Sequence, residues 1–226
     1  MEHIVIGIEG YVGAGKTAIC KELLNYIPNS ILLEGGNLYR AIVYSLLNSG
    51  IDLENLKQNM KQVDIKGIME KLKIQIAIEN RDTTIYVDGK KIEEEFLQSA
   101  QSSLAVSEVG TVADNKNLYL FGRKLIDEFK QKYNVIVSGR ALMEIYPDLD
   151  YHFLITASIE ERIRRKSIQY NGNIDLEELR KNIITRDDLQ EKAGYYKKYD
   201  KTIMIDVTNC DTVEDSTNSV MQHISL

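Results

Sequence analysis

Eight consecutive residues, Gly10-Tyr11-Val12-Gly13-Ala14-Gly15-Lys16-Thr17, carry the clearest chemistry in the chain. They fit G-x-x-x-x-G-K-[ST], the spacing of a loop that wraps phosphates. Glycines at 10, 13 and 15 are expected to turn the backbone through positive φ and aim successive N–H groups at an anion. The helix behind the loop adds the positive end of its dipole. Lys16 is then placed to reach the β- and γ-phosphates of a nucleoside triphosphate, and the Thr17 hydroxyl to ligate Mg²⁺.

Such a loop needs a buried strand before it and an amphipathic helix behind it. Ile4-Val5-Ile6-Gly7-Ile8 reads as the strand, and Ile19, Leu23, Leu24 and Ile27 as the stripe of a helix that Pro28 ends. Ile31-Leu32-Leu33 follows as a second buried strand and completes a βαβ unit. Its carboxyl end delivers Glu34-Gly35-Gly36-Asn37-Leu38-Tyr39-Arg40 into another helix, with Leu38, Ile42 and Leu46 on one face and Gly50 as a stop. Ligands of open α/β sheets collect at that edge, so topology places Glu34, Tyr39 and Arg40 near the phosphate loop. Val135-Ile136-Val137, Tyr151 to Ile155 and Thr202 to Val207 read as further buried strands. Two of them bring Ser138-Gly139-Arg140 and Thr208-Asn209 to the same edge. The expected fold class is α/β: a five-stranded parallel sheet flanked by helices.

Two segments break the alternation. After a loop and short helix over residues 51–70, Leu72, Ile74, Ile76 and Ile78 alternate with polar neighbours, and Asn80-Arg81-Asp82 and Asp88-Gly89 mark turns. This pattern predicts a small antiparallel sheet inserted as a subdomain mounted on the core. Residues 93–132 read as helical, with Leu118, Leu125, Ile126 and Phe129 as the stripe and Arg123 and Lys124 beside it. Ser158-Ile159-Glu160-Glu161 reads as a capping box opening a helix with Arg162, Arg164, Arg165 and Lys166. After the Asn171-Gly172-Asn173 break, Asp175-Leu176-Glu177-Glu178 opens a second helix by the same logic, with Arg186 and Lys192 further along. Two cationic helices about a tip predict a lid that closes over phosphates and excludes water. A last helix is expected to bury Val213, Val220 and Ile224.

The 226 residues suit one domain, with 28 basic against 34 acidic side chains and a net charge of −6. That balance argues against nucleic acid or an anionic membrane as the main partner. Cys20 and Cys210 lie far apart without metal-ligand spacing, as expected of free thiols in a reducing cytoplasm. No apolar run approaches the ~18 residues needed to span a bilayer.

With these segments in view, the chain resembles the bacterial cytidylate kinases among the P-loop nucleoside-monophosphate kinases. The resemblance rests on the Gly10–Thr17 loop, the Leu33-Glu34-Gly35-Gly36-Asn37-Leu38-Tyr39-Arg40 stretch and the β-rich insertion over 72–92. It continues through Ser138-Gly139-Arg140, Thr156-Ala157-Ser158-Ile159-Glu160-Glu161-Arg162 and Arg186-Asp187-Asp188. It implies transfer of the ATP γ-phosphoryl to CMP or dCMP, with Mg²⁺ held through Thr17. The implied layout is a single kinase domain with its core in 1–35, 114–165 and 190–226, an acceptor region in 36–113 and a lid about 166–189. Glu34, Gly35, Tyr39, Arg40, Lys124 and Arg140 would serve the acceptor. Lys16, Arg164, Arg165 and Arg186 would serve the moving phosphoryl, and Arg162, Thr208 and Asn209 would join the loop in binding ATP.

The departures from the family pattern fall in the acceptor half. Asp-Ser-Gly is replaced by Glu34-Gly35-Gly36, and Asp-Gly-Arg-Asp by Ser138-Gly139-Arg140-Ala141. Of Arg-Asp-x-x-Asp-x-x-Arg only Arg186-Asp187 survives, with Gln190 and Ala193 at the later positions, and an Ile-Arg pair after the insertion becomes Phe96-Leu97. CMP is therefore expected to be a weakened substrate, with Lys124 or Lys192 as substitutes for a missing arginine. Two other readings stay open: a kinase for another nucleotide or a small-metabolite hydroxyl, with Glu34 as base, and a nucleotide-binding regulator without catalysis.

Overall fold

A computed structural model of the chain describes residues 3–48, 67, 69–70, 73–92, 116–170 and 174–226. Gly50, Leu72, Phe96-Leu97, the helical reading of 93–115 and the Asn171-Gly172-Asn173 tip lie outside the described residues, as does the 51–70 reading apart from 67 and 69–70. The first half runs β1 (Val5–Gly10), α1 (Lys16–Tyr26), β2 (Ser30–Glu34), α2 (Gly35–Asn48), β3 (Ile74–Glu79), β4 (Asp82–Val87) and β5 (Lys90–Lys91). The second runs α3 (Lys116–Lys130), β6 (Asn134–Ser138), α4 (Leu142–Ile145), β7 (Tyr151–Thr156), α5 (Ile159–Gln169), α6 (Leu176–Lys192), β8 (Thr202–Asp206) and α7 (Val213–Met221).

Five core strands, in the order β2-β6-β1-β7-β8, pair in parallel, and β4 joins β2 in the same sense. Their alternate residues feed two apolar layers. Val5, Ile31, Leu33, Val135 and Val137 pack against Leu38, Ala41, Leu125, Ile126 and Leu142 on the side of α2, α3 and α4. Ile6, Ile8, Leu32, Ile136, Phe153 and Ile155 face Ile19, Leu23, Ile27 and Val220 on the side of α1 and α7. Helices on both faces explain why these strands read as continuous apolar runs. The shared direction also brings Gly10, Glu34, Ser138, Thr156 and Asp206 to one edge, where Glu34 pairs in register with Ser138 and Thr156 with Asp206.

The antiparallel insertion is not a separate sheet. β3, β4 and β5 extend the same eight-stranded sheet, because Leu32 of β2 pairs with Asp82 of β4. Arg81 makes the seam. Its carbonyl accepts from Leu32 N at 2.8 Å, and its guanidinium donates to Ser30 O and Ile27 O, each at 2.9 Å. An arginine in a polar turn reads as solvated, so this bracket was hidden from pattern reading. The strand itself is less regular than its alternation implies, with Ile74 buried and Ile76 and Ile78 only partly so.

The helix starts also differ from expectation. Ser158 and Asp175 accept from the N–H groups of Glu161 and Glu178, but Glu161 turns to Arg164 and Arg165 rather than back to the cap. A reciprocal box forms instead at α7, between Thr212 and Asp215. Val213 just inside it is 44% exposed, and Ser216, Thr217 and Val220 make the buried face. Thr212→Ala is expected to lower stability by about 1–2 kcal/mol, read as a drop in the urea midpoint at unchanged slope.

Candidate active site

The glycines of the loop divide their work. Gly13 and Gly15 take φ of 82° and 90°, where a side chain would be strained. Gly10 does not adopt positive φ. It is required for close approach, since a Cβ there would lie 2.9 Å from Ile155 O on β7. Ala14 is fully buried, and its N–H donates to Tyr11 O at 3.1 Å. Lys16 and Thr17 open α1.

Lys16 Nζ donates to Ser138 Oγ at 2.7 Å across the sheet edge. Burial lowers its pKa, as do Arg140 and Arg40 by like charge. Burial together with Arg140 and Arg186 brings Arg40 down to about 10, and Arg186 is lowered by burial and Arg140. Lys166 falls to about 8 through burial and the charges of Arg186 and Arg40. Lys16, Arg40, Arg140, Lys166 and Arg186 thus form a crowded cationic cluster, with Glu34 as the counter-charge acting on Lys16 and Arg40. Holding these cations together costs free energy that a polyanion would recover.

Arg140 and Arg40 are braced by neutral groups. Arg140 Nε donates to Gln190 Oε1 at 2.9 Å, with its guanidinium 5.7 Å from the Tyr195 ring centroid. Gln190 also accepts from the Tyr196 hydroxyl. Arg40 Nη1 donates to Asn37 Oδ1 at 3.1 Å, while the Asn37 amide donates to the buried Glu34 carboxylate. Arg40 Nε and the Tyr39 hydroxyl are buried without a partner among the described residues. Leaving such donors unmet costs about 1–3 kcal/mol each, a cost that a bound anion removes. Gly35 and Gly36 form the first turn of α2 beside them, and a Cβ on Gly36 would approach Arg40 Nη1 to 3.3 Å.

Helices α5 and α6 are latched to the loop. Arg162 pairs with Asp187 and donates to Val12 O at 3.3 Å, and Val12 N donates to Asp187 Oδ1 at 3.3 Å. Val12 packs with Ile163, Leu179 and Ile183. Tyr11 stacks on Tyr196 with centroids 4.1 Å apart, and Tyr196 is held at φ 61°, a costly backbone for an aromatic residue.

The remaining candidates make other contacts. Arg164 is 55% exposed and chelated by Glu161, both contacts at 2.7 Å. Arg165 braces the loop from behind, donating to Ala14 O at 3.1 Å, Val207 O at 2.8 Å and Cys210 O at 3.2 Å. Glu161 is held down to about 2 by its hydrogen bonds from Arg164 and Arg165. Thr208 Oγ1 accepts from Ser158 N at 2.8 Å, fastening the end of β8 to the start of α5, with exposed Asn209 beside it. Lys124 and Lys192 are exposed, and no described contact joins either to the cluster. Tyr195 and Tyr196 had no motif to announce their parts, and Asn37 and Gln190 stood inside motif stretches without an assigned role. Lys166 was visible only as one cation in a run.

No helix among the described residues is long and apolar enough to cross a membrane. Nor do three or more His, Cys, Asp or Glu side chains gather there to cage a metal ion. A lone hydroxyl such as that of Thr17 suits Mg²⁺, which keeps its waters and binds through one or two protein oxygens and substrate phosphates.

A glycine loop after a central parallel strand, cations facing it across the sheet edge and two helices latched over it define a P-loop phosphotransferase of the nucleoside-monophosphate kinase type. The chain belongs to the cytidylate kinase family, whose sequence model matches residues 6–226. A protein named cytidylate kinase from Clostridioides difficile (strain 630) is 32% identical over 236 aligned residues, covering 100% of both chains. Another of that name, from Alkaliphilus oremlandii (strain OhILAs), is 30% identical over 95% of this chain and 94% of its own. A solved structure of a protein from Eubacterium ventriosum aligns over 98% of both chains at a TM-score of 0.49 and 14% identity, a likeness too low to bear on activity.

Lys166 gives the site a pH dependence. Burial and the charges of Arg186 and Arg40 leave it charged below pH about 8 in the free protein and neutral above that. kcat/KM is therefore expected to fall above about pH 8 in the wild type and to hold further into alkali in Lys166→Arg, whose side chain stays protonated. The linkage to folding has the opposite sign: a lysine depressed in the folded state contributes rising stability from pH 8 toward its unfolded value near 10.4. A profile identical in the two proteins would remove Lys166 from the site.

Proposed function

We propose that this chain transfers the γ-phosphoryl group of ATP to the phosphate of CMP or dCMP, giving ADP and CDP or dCDP. The observation that carries this reading is the cationic cluster: Arg40, Arg140 and Arg186 crowd the edge of the sheet next to Lys16 and the phosphate loop. Two phosphate groups can share such a site, one held by the loop and Lys16, the other by Arg40 and Arg140. An acceptor phosphate oxygen attacks the γ-phosphorus, and the bond from that phosphorus to the bridging oxygen of ADP breaks. The nucleophile is already ionised, so no general base is needed. Glu34 suits a positioning role in this scheme, because its carboxylate accepts from the Asn37 amide.

Lys16, Lys166 and Arg186 neutralise charge on the group in transit, and Arg165 keeps the loop in shape by holding Ala14 O. Mg²⁺, held through Thr17, would supply further neutralisation of the β- and γ-phosphate oxygens. Helices α5 and α6 act as the lid that keeps water out. Gln190 retains an acceptor for Arg140 where the family pattern has a carboxylate, at the loss of a charge.

The test is an ADP-release assay with Mg²⁺ and ATP against CMP, dCMP, UMP, AMP and cytidine. CMP or dCMP should be the best acceptor, with kcat/KM below roughly 10⁶ M⁻¹s⁻¹ because the pocket has lost several polar groups. Consumption of cytidine with CMP and dCMP inert would overturn the reading in favour of a hydroxyl acceptor.

A further inference from the structure

Asn37 lies in the first turn of α2, buried to 7% exposure, and both ends of its amide are used. Nδ2 donates to the Glu34 carboxylate, and Oδ1 accepts from Arg40 Nη1 at 3.1 Å. The carboxylate also attracts Arg40 electrostatically. Glu34 and Arg40 therefore meet through a neutral group, where a direct bidentate pair would be the ordinary outcome for a carboxylate and a guanidinium. A direct pair would spend two of the guanidinium donors and cancel its charge. With Asn37 between them, one donor is spent, Nε is left buried without a protein partner among the described residues, and the positive charge stays available.

Resting on the acceptor reading above, we propose that Asn37 is a positioning residue for the acceptor phosphate: it acts as a neutral spacer that fixes Arg40 and keeps Glu34 from capturing it. It touches neither the reacting atoms nor ATP. Its effect falls mainly on the acceptor side, because it acts by holding Arg40, while Lys16 and the loop hold the donor. Gly36 favours this arrangement, since a Cβ there would crowd Arg40 Nη1 at 3.3 Å.

The test is a double-mutant cycle of Asn37→Ala and Arg40→Ala, read as separate KM values for CMP and ATP. Asn37→Ala should raise KM for CMP about tenfold, the factor expected for one hydrogen bond to a charged group, and leave KM for ATP within about twofold. In the Arg40→Ala background the same change should add almost nothing, because residues acting through one another are not additive. Asn37→Asp should weaken CMP further by giving Arg40 a carboxylate partner. Thermal melts check folding, and Asn37→Ser, too short to span both groups, carries the same test if Asn37→Ala does not fold. An unchanged KM for CMP, or full additivity with Arg40→Ala, would overturn the proposal.

If the wild type does not phosphorylate CMP, the functional reading fails separately. The cycle is then read by calorimetry of inorganic phosphate binding to the ADP-saturated protein. A roughly tenfold loss in Asn37→Ala supports the spacer role. Equal affinity, or no phosphate binding by the wild type, overturns it.

Discussion

Lys16→Ala is expected to lower kcat for phosphoryl transfer by roughly 10³-fold with an unchanged far-ultraviolet circular dichroism spectrum, because it removes the cation aimed at the moving group. The fold should survive, since Lys16 belongs to none of the apolar clusters and its one described hydrogen bond goes to Ser138 Oγ at 2.7 Å. The change also relieves crowding, because Arg140 and Arg40 lose a like-charged neighbour. A small gain in the melting temperature of the free protein is therefore expected. Undiminished turnover in a folded variant would detach the loop from the chemistry.

The second large effect is expected on stability. Asp187→Ala leaves Arg162 buried and unpaired, with side-chain exposures of 11% for the arginine and 10% for the aspartate in the pair. Breaking a buried pair by deleting one partner costs about 3–5 kcal/mol, far more than the pair itself adds. Val12 N loses its acceptor as well. Denaturant unfolding should show that loss, and saturating ATP should recover part of it by binding only the folded state. Replacing both partners together, as in Arg162→Met with Asp187→Leu, should cost markedly less. A single variant within about 1 kcal/mol of the wild type would mean that the latch is solvated and carries little.

The parallel core was legible because its signal is redundant: Val5–Gly10, Ser30–Glu34 and Asn134–Ser138 are apolar runs, and each is followed by a segment that must sit at the ligand edge. Positions that depend on tertiary partners were not. Arg81 looks like a turn residue until Ser30 O and Ile27 O are seen to receive it. Arg162, Arg164, Arg165 and Lys166 form one cationic run, yet helical geometry sends them to four environments: a buried pair, an exposed chelate, a brace behind the loop and the cluster itself. A count of charges could not assign these directions, because successive residues on a helix point about 100° apart. Gln190 and Asn37 were harder still. A neutral amide leaves no trace in a charge pattern, although both hold arginines whose unspent donors define the site.

Gly10 teaches a related point. A glycine in a phosphate loop suggests positive φ, but its need arises from Ile155 O on the next strand, a contact that exists only once β1 and β7 are paired.

The identity of the phosphorylated product tests phosphoryl transfer to CMP most directly. Phosphorus NMR of the protein with ATP, Mg²⁺ and CMP should show the CDP resonances growing in step with those of ADP, at equal concentrations and without inorganic phosphate. ADP appearing with inorganic phosphate alone, or an ATP spectrum that does not change over many hours at high protein concentration, would contradict it.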